Sequence, residues 1–481
     1  YPSNPPTFPT PLVMIASSPV FSILFQAQIL FGILLCGLES SLYAGPPNVV
    51  VVFTDDQGYN DVGCYWSRAS DVPRINTPSL DALAARGVRF TDFYVAAAVC
   101  TPSRAALLTG CYPKRVGMHE HVVFPPHDHG LHSDEITIAD ALSSAGYATG
   151  CFGKWHLGHR PGLLPTSQGF DVFFGIPYSN DMSQFHRPDG NGYRHSLPLL
   201  RDETVIEWEP DQRQLTRRCT EEAVAFIDAH ADEPFFVYVP HAMPHIPIYA
   251  SEDFAGRSPR GTYGDVIEEI DWSVGEVLDA LDRHGVGDRT LVIFTTDNGP
   301  WLPYKEQGGS AGPLAGGKGG NLEGGQRVPF VARYPDRIPA GLVQREVATT
   351  MDLLPTIAGL AGATLDRDRR IDGHDIMPML EGAAGAESPT ASFLYYTARG
   401  ELAGIRRGRW KLLLDPGTLH DVESDVGERW NRADRHPEIV AELRALAIER
   451  DAAITAEARP VLEVEETIWD PTTVVRPEAS P

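Results

Sequence analysis

Two pairs of oxygen-bearing side chains each follow a short hydrophobic run. Asp55 and Asp56 come directly after NVVVVFT, a β-branched run typical of a buried parallel strand. Asp297 and Asn298 come directly after LVIFTT, a second run of this kind. One such pair is weak evidence, because Asp and Asn also start turns. Three carboxylates and an amide, however, suit a hard divalent cation such as Ca²⁺ or Mg²⁺, so the two pairs together indicate a metal site.

A cysteine stands at the predicted start of a helix in the segment CTPSRAALLTG, which runs from Cys100 to Gly110. Pro102 suits the first helical turn, and Gly110 suits the end. The amides at a helix N-terminus favour an anionic group, and Arg104 follows one turn later on the same face. Taken alone, Cys100 is more simply interpreted as a buried residue, since free Cys packs as a small hydrophobe.

Two lysines and two histidines lie in loops that follow predicted strands. Lys154 and His156 stand in GKWHLG, His245 in HAMPHIP, and Lys318 in a glycine-rich stretch. Such residues taken singly are more often solvated or structural, but loops after strands are where α/β proteins build their sites. Together with the metal ligands and Cys100, they indicate displacement at a tetrahedral oxyanion centre, where metal and cations stabilise the developing charge.

The elements that position these residues alternate between helix and strand, which predicts a mostly parallel sheet covered on both faces. Predicted strands are 48–54, 88–96, 147–152, 235–240 and 291–296, and predicted helices are 77–87, 137–145 and 264–284. The composition changes near 364–392, and beyond it strands at 392–396, 402–406 and 410–414, a turn at 419–422 and a helix at 437–455 indicate a small antiparallel sheet. We predict an α/β catalytic domain over 46–385 and a smaller α+β domain with a tail over 386–481.

The charge balance limits the class of partner. Sixty-four acidic residues against 40 Lys and Arg give a net charge of −24. This argues against a nucleic-acid partner, whose affinity depends on cations that neutralise phosphates. It does not exclude an anionic substrate, because a few cationic side chains and a metal ion can make one cleft positive in a chain whose net charge is negative. The sequence does not indicate an oligomeric state.

Residues 1–45 are predicted to be a leader. Phe21 to Leu38 is nearly continuous apolar sequence, of a length that suits a secretory signal or a short membrane anchor. The basic flank of a signal is missing, since no Lys or Arg precedes Arg68. An export signal is preferred to an uncleaved anchor, which predicts a periplasmic, extracellular or secretory and lysosomal protein. Five cysteines would remain in the mature chain, enough for two disulfides at most, and no pairing is indicated.

The segment CTPSR matches the C-x-P-x-R signature of the formylglycine-dependent sulfatases. Further segments match the same family, namely AALLTG, GKWHLG, GIPYS at 175–179, DNG at 297–299, GKG at 317–319 and EGG at 323–325. The similarity spans about residues 48–380 and is weaker beyond. The signature alone would not be specific, but the combination is, so the chain resembles this family.

The resemblance implies an alkaline-phosphatase-like fold and hydrolysis of a sulfate ester on a small molecule or a glycan. A formylglycine-generating maturation enzyme would convert Cys100 to Cα-formylglycine. One hydroxyl of the aldehyde hydrate would attack sulfur, and deprotonation of the other would release the sulfate. Ca²⁺, preferred to Mg²⁺, would be bound by Asp55, Asp56, Asp297, Asn298 and the modified Cys100.

The resemblance also implies roles for the remaining residues. Arg104 would orient the hydrate. His156 would take the proton that triggers sulfate release, with Lys154 in support. Lys318 and His245 would hold the sulfate near the leaving oxygen, with His245 as the acid.

Several residues near these motifs leave alternatives open. Ser179 matches a pocket serine that contacts the hydrate or the sulfate, and the following Asn180 and Asp181 are candidates for contact with substrate. His241 is the neighbouring alternative to His245. The segment 118–132 contains five histidines, at 119, 121, 127, 129 and 132. A substrate-facing loop or solvated histidines are preferred there to a second metal site, because the spacing is irregular.

Two other functions compete with sulfate ester hydrolysis. A phosphonate or phosphodiester hydrolase could use the same fold, and the number of cations does not separate sulfate from phosphate. A non-catalytic sulfate-binding protein is disfavoured, because the set of catalytic side chains is intact. The alcohol half of the substrate stays open between sugar, aryl and lipid sulfates.

Overall fold

A computed structural model of the chain describes residues 6, 9, 45–68, 70, 72–183, 195–366 and 368–469. The predicted leader therefore lies almost wholly outside the described residues. Within the described part, no helix has the length and apolar character needed to cross a membrane. The residues from Pro46 onward belong to one compact unit.

The strands are as follows: β1 Asn48–Thr54, β2 Val88–Tyr94, β3 His129–Gly130, β4 Ala148–Lys154, β5 Val172–Ile176, β6 Pro198–Arg201, β7 Thr204–Trp208, β8 Phe235–Pro240, β9 Thr290–Thr296, β10 Arg327–Arg333, β11 Leu342–Gln344, β12 Ala348–Thr349, β13 Phe393–Tyr396, β14 Leu402–Arg407, β15 Trp410–Leu413, β16 Thr418–Asp421 and β17 Leu462–Glu463. The helices are α1 Pro78–Ala85, α2 Cys100–Thr109, α3 Ile138–Ser144, α4 Leu215–His230, α5 Gly261–Arg283, α6 Glu323–Gln326, α7 Leu353–Ala361, α8 Met377–Leu380 and α9 Pro437–Ala456.

The main sheet contains 11 of the described strands, in the order β11-β2-β10-β9-β1-β8-β4-β5-β6-β7, with β12 paired to β2. Its centre, β9-β1-β8-β4-β5, is parallel throughout. Every residue of β1, β8 and β9 is buried, and successive side chains of a strand point to opposite faces, so both faces are covered. The predicted mostly parallel α/β sheet is confirmed.

Two groups of helices cover this sheet. Helices α1 and α4 contact α5, whereas α2, α3 and α7 contact one another. Helix α2 begins at Cys100 and ends at Thr109, and the following Gly110 takes the left-handed conformation with φ 66°. All ten residues of α2 are buried, so its N-terminus is held inside the protein.

A separate antiparallel sheet follows near the C-terminus, in the order β13-β14-β15-β16, and α9 packs on β14 and β15. The turn predicted at 419–422 is wrong, because Thr418–Asp421 is strand β16. Its polar sequence carries little strand signal, but backbone pairing with β15 places Leu419 opposite Leu412. The division of the chain at 385 stays a prediction.

Candidate active site

The two predicted ligand pairs meet at the carboxyl ends of β1 and β9. The parallel register places Thr54 opposite Thr296, so the residues that follow are neighbours. The Asp56 backbone N–H donates to Asp297 Oδ1 at 3.1 Å, and Asn298 Nδ2 donates to Asp56 Oδ1 at 2.7 Å. All of these side chains are buried. The sheet therefore gathers the acids and the amide at one point, as expected for adjacent parallel strands.

Cys100 lies against this cluster from the N-terminus of α2. Its Sγ donates to Asp55 Oδ1 at 3.3 Å, and Lys318 Nζ lies 3.6 Å from the same sulfur. Burial, and then the carboxylate of Asp55, hold the pKa of the thiol well above its ordinary value. The unmodified side chain in this environment is a neutral thiol, which is a weak nucleophile.

Arg104 joins the two acidic strand ends. Its guanidinium is fully buried and donates to Asp297 Oδ2 at 2.9 Å, to Asp55 Oδ2 at 3.1 Å and to the Lys154 carbonyl at 2.8 Å. Burial, and then the charge of Asp55, raise the pKa of Asp297 to about 7. Burial alone would also raise the pKa of Asp55, but Lys154, His245 and Arg104 hold it well below its ordinary value. Arg104 contacts the carboxylates directly, so it positions them.

Lys154 is the last residue of β4, so its predicted place in a loop is wrong, whereas His156 lies in the loop that follows the strand. Lys154 Nζ donates to Asp55 Oδ2 and, at 3.1 Å, to Ser179 Oγ. His156 adopts φ 64°, a strained conformation of the kind found at functional sites. Its Nε2 lies 3.0 Å from the Val123 carbonyl, which only accepts, so Nε2 carries the hydrogen. Nδ1, which has no hydrogen-bond partner among the described residues, is left with a free lone pair that can take a proton.

His245 and Lys318 both lie beside Asp56. His245 Nδ1 donates to the Ile246 carbonyl at 2.6 Å, and its Nε2 lies 3.7 Å from Asp56 Oδ2. Burial, and then Lys318, lower the pKa of His245. Lys318 Nζ lies 2.8 Å from Asp56 Oδ1. Burial would lower the pKa of Lys318, but Asp56 raises it above its ordinary value, so the ammonium stays charged.

Close backbone contacts fix the loop that carries Lys318. The Lys318 N–H donates to the Pro300 carbonyl at 2.9 Å, and the Gly319 N–H donates to the Ala98 carbonyl at 2.8 Å. A Cβ at Gly299 would lie 1.7 Å from the Gly324 carbonyl oxygen, so only glycine fits there. The glycine-rich sequence thus brings the Lys318 loop against both β9 and the start of α2.

A cavity of about 260 Å³ opens above these groups. Its lining includes five of the predicted residues, namely Cys100, His156, Ser179, His245 and Lys318. It also includes Gly319 of the GKG segment and residues that no sequence pattern distinguished, namely Val99, Val122, Phe124, Met182, Trp301 and Ala398. Asp181 lines it too, and its contact with substrate stays a prediction. The site therefore consists of a charged floor with mixed apolar and polar walls.

The donor set fits a divalent cation. Ligand atoms of Asp55, Asp56, Cys100 and His245 lie within 4.8 Å of one another. Asn298 Oδ1 is buried and has no hydrogen-bond partner among the described residues, whereas Asn298 Nδ2 is bonded. An unpartnered buried oxygen beside carboxylates is what a cation that prefers oxygen would satisfy.

Most of the histidines that the sequence left as alternatives lie outside the cavity lining. His241 Nε2 lies 3.0 Å from Ser273 Oγ, and His241 is not part of the cavity lining. Among the five histidines of 118–132, His121 lines the cavity. His127 and His132 accept backbone N–H groups of their own loop. Within the described ranges, no three of these histidines form a metal-binding group.

The cysteines at 64, 100, 111, 151 and 219 are all unpaired thiols.

Fold and site together define a hydrolase of tetrahedral oxyanion esters, and comparison with known proteins identifies the family. The family model described as Sulfatase matches residues 47–363. Arylsulfatase A of Homo sapiens is 39% identical over 477 residues, which cover 88% of this chain and 92% of the relative. N-acetylgalactosamine-6-sulfatase of Homo sapiens is 40% identical over 362 residues, which cover 72% of this chain and 67% of the relative.

A solved structure shows the same fold. Ps i-CgsB in complex with k-i-k-neocarrahexaose is 30% identical with a TM-score of 0.75, and the match covers 85% of this chain and 93% of that one. The chain belongs to the sulfatase family, and the protein is a sulfatase that hydrolyses sulfate esters.

Proposed function

We propose that this sulfatase cleaves a sulfate monoester with residue 100 as the nucleophile, after conversion of Cys100 to Cα-formylglycine by a maturation enzyme, and with Ca²⁺ bound beside it. The observation that carries the proposal is the position of Cys100. Its sulfur lies at the floor of the cavity, 3.3 Å from Asp55 Oδ1 and 3.6 Å from Lys318 Nζ. A group at this point faces both the metal ligands and a bound anion.

The conversion resolves a chemical mismatch in the site. A thiol is a soft ligand among hard oxygen donors, and burial keeps its pKa high. A hydrated aldehyde at residue 100 supplies two hydroxyls on one carbon, one to attack sulfur and one to release sulfate. Both would be bonded to the carbon that carries the Cys100 sulfur, and that sulfur already contacts Asp55 and Lys318.

The chain's own residues account for the charge and the proton transfers. Lys318 borders the cavity beside residue 100, where its ammonium neutralises the sulfate oxygens. His245 holds one proton on Nδ1 against the Ile246 carbonyl, so it donates to the leaving alcohol from Nε2 of the protonated ring and returns to the neutral form. His156 presents its Nδ1 lone pair and takes the proton whose loss releases sulfate. Lys154 sits between Asp55 and Ser179 and holds that side of the site positive.

The proposed metal ligands are Asp55, Asp56, Asp297, Asn298 and residue 100. A bound divalent cation would supply Lewis-acid polarisation and charge neutralisation at the reacting centre. Ca²⁺ is preferred because the donors are several carboxylate oxygens and one amide oxygen, a set that suits its larger and more flexible shell.

Metal removal is expected to abolish turnover. Dialysis against EGTA should remove about one calcium per chain, and added Ca²⁺ should restore activity better than equal Mg²⁺. Asn298→Ala should lower the calcium content per chain, as measured by inductively coupled plasma mass spectrometry. The control Asn76→Ala, at an exposed position, should leave the calcium content unchanged. Full activity in a chain shown to be metal-free would contradict the calcium proposal.

The relatives support a carbohydrate or aryl sulfate as substrate. One is named for N-acetylgalactosamine-6-sulfate, one for aryl sulfates, and one was solved with a neocarrahexaose. We therefore propose that the substrate of this sulfatase is a sulfate ester of a small molecule or a glycan.

We also propose that the protein is exported, because the leader contains a long apolar run. Sequencing the N-terminus of the mature protein would test this.

Sulfate esters are expected to be cleaved faster than phosphate esters of the same alcohol. The purified, matured protein should show a higher kcat/KM on 4-nitrophenyl sulfate than on 4-nitrophenyl phosphate or a phosphonate monoester. A parallel preparation of Cys100→Ala serves as the blank for contaminating phosphatase. Faster phosphate or phosphonate turnover would reject sulfate ester hydrolysis as the main activity.

A further inference from the structure

Asp181 is an acidic side chain in the cavity that the proposed chemistry leaves unused. It is 7% exposed and lies on the wall of the cavity that contains Cys100. Its Oδ1 is buried and has no hydrogen-bond partner within the part of the chain that the structure describes. A buried acceptor without a donor is destabilising. A bound molecule that donates a hydrogen bond at this point would remove that cost.

The backbone around Asp181 is anchored to the site. The Met182 N–H donates to the Ser179 carbonyl at 3.0 Å, closing a turn around Asp181. Asn180 Nδ2 donates to Gln212 Oε1 at 3.0 Å and to the Pro247 carbonyl at 3.1 Å. Asp181 is therefore a fixed part of the wall, two residues from the serine that contacts Lys154.

Trp301 supplies an apolar surface in the same cavity. Its ring centroid lies 4.3 Å from Lys318 Nζ and 5.3 Å from the centroid of the His245 ring. These are the two groups proposed to hold the sulfate, so the indole adjoins the ester. Aromatic surface combined with a few placed polar groups is how pockets bind and orient small ligands.

We infer that Asp181 and Trp301 form a sugar subsite, in which Asp181 accepts a hydrogen bond from a hydroxyl or amide N–H of the ring that carries the sulfate. Trp301 covers the C–H face of that ring. The inference rests on the proposed sulfate ester hydrolysis and names its substrate class. A singly sulfated, hydroxyl-bearing sugar is preferred to a hydroxyl-free aryl or steryl sulfate.

The charge and size of the cavity narrow this class. A second anionic substituent facing Asp181 is disfavoured, because like charges repel strongly in a poorly solvated site. The volume of about 260 Å³ is near the lower limit for small-molecule pockets and suits one ring. The hydroxyl that contacts Asp181 therefore belongs to the sulfated ring itself.

The test measures substrate selectivity in Asp181→Ala and Asp181→Asn. The substrates are mono-O-sulfated galactose, glucose and N-acetylgalactosamine, with 4-nitrophenyl sulfate as the hydroxyl-free reference. The ratio of kcat/KM for the best sugar to kcat/KM for the reference should fall about 10- to 100-fold in Asp181→Ala, the loss expected for a hydrogen bond to a charged group. The ratio should fall less in Asp181→Asn, because the amide oxygen of Asn still accepts a hydrogen bond. The exposed control Asp232→Ala should leave the ratio unchanged.

Deoxygenated sugars locate the contact. For one ring position, loss of the hydroxyl should reduce wild-type kcat/KM about 10- to 100-fold and should have no effect in Asp181→Ala. An unchanged selectivity ratio in both Asp181 variants would overturn the inference. So would a wild-type enzyme that cleaves 4-nitrophenyl sulfate and none of the sugars, although sulfatase chemistry would then stand. Sulfate release from no substrate would overturn the proposed function and this inference with it.

Discussion

Replacement of Cys100 by alanine is expected to reduce sulfate ester turnover by about 10⁴-fold or more, the scale seen when a nucleophile is removed. Alanine carries no group that can be converted or can attack sulfur. The fold should persist, because the substitution removes one sulfur atom at the edge of an existing cavity and one hydrogen bond to Asp55. The measurements are kcat/KM on 4-nitrophenyl sulfate and the midpoint of thermal unfolding.

Cys111 provides the matched control. It is also fully buried, and it follows the far end of the same helix, about 16 Å along the axis from residue 100. Cys111→Ala should keep kcat/KM within about twofold of wild type even if stability falls. Substantial turnover by pure Cys100→Ala, close to that of this control, would exclude residue 100 from the chemistry.

Replacement of Lys318 by alanine is expected to lower kcat about 10²- to 10³-fold, the usual cost of removing one preorganised charge-stabilising donor. The ammonium lies 2.8 Å from Asp56 Oδ1 and 3.6 Å from the Cys100 sulfur, at the edge of the cavity where an anion would bind. Losing it removes positive charge from both the metal side and the sulfate side. Steady-state kinetics on an aryl sulfate would measure the effect.

Lys305 is the control for this change, since it is an exposed lysine in the same part of the chain. Lys305→Ala should leave kcat and KM unchanged. A Lys318→Ala enzyme whose kcat matches the Lys305→Ala enzyme would show that Lys318 does not contact the reacting sulfate.

The parallel core was predictable because it consists of uninterrupted buried strands. NVVVVFT and FFVYVP have no polar face, and the strands begin and end where those runs do. β10 was not predicted, since RVPFVAR has charged ends and an internal proline and gains its stability from pairing with β2 and β9 on either side. Helix α4 was not predicted either, because its apolar residues are interrupted by arginines and glutamates. Local sequence patterns do not predict a helix or strand whose formation depends on its tertiary contacts.

The floor of the site was predictable and its walls were not. Acids at two strand ends meet whenever those strands are parallel neighbours, so Asp55 and Asp297 follow from the topology. Trp301 and Phe124 reach the cavity through loops whose paths depend on packing and carry no periodic signal. Of the two residues proposed to select the substrate, Asp181 was a candidate from the sequence, whereas Trp301 is shown by the structure alone.

The role of residue 100 is tested most directly by measuring its chemical state and the activity of the enzyme in the same samples. Preparations that differ in maturation are digested, and the fraction of the Cys100 peptide that has lost about 18 Da, as expected when a thiol becomes an aldehyde, is measured by mass spectrometry. Specific activity on 4-nitrophenyl sulfate should rise in proportion to this fraction and extrapolate to zero in its absence. Equal activity in preparations whose residue 100 is entirely unmodified cysteine would show that formylglycine is not the nucleophile.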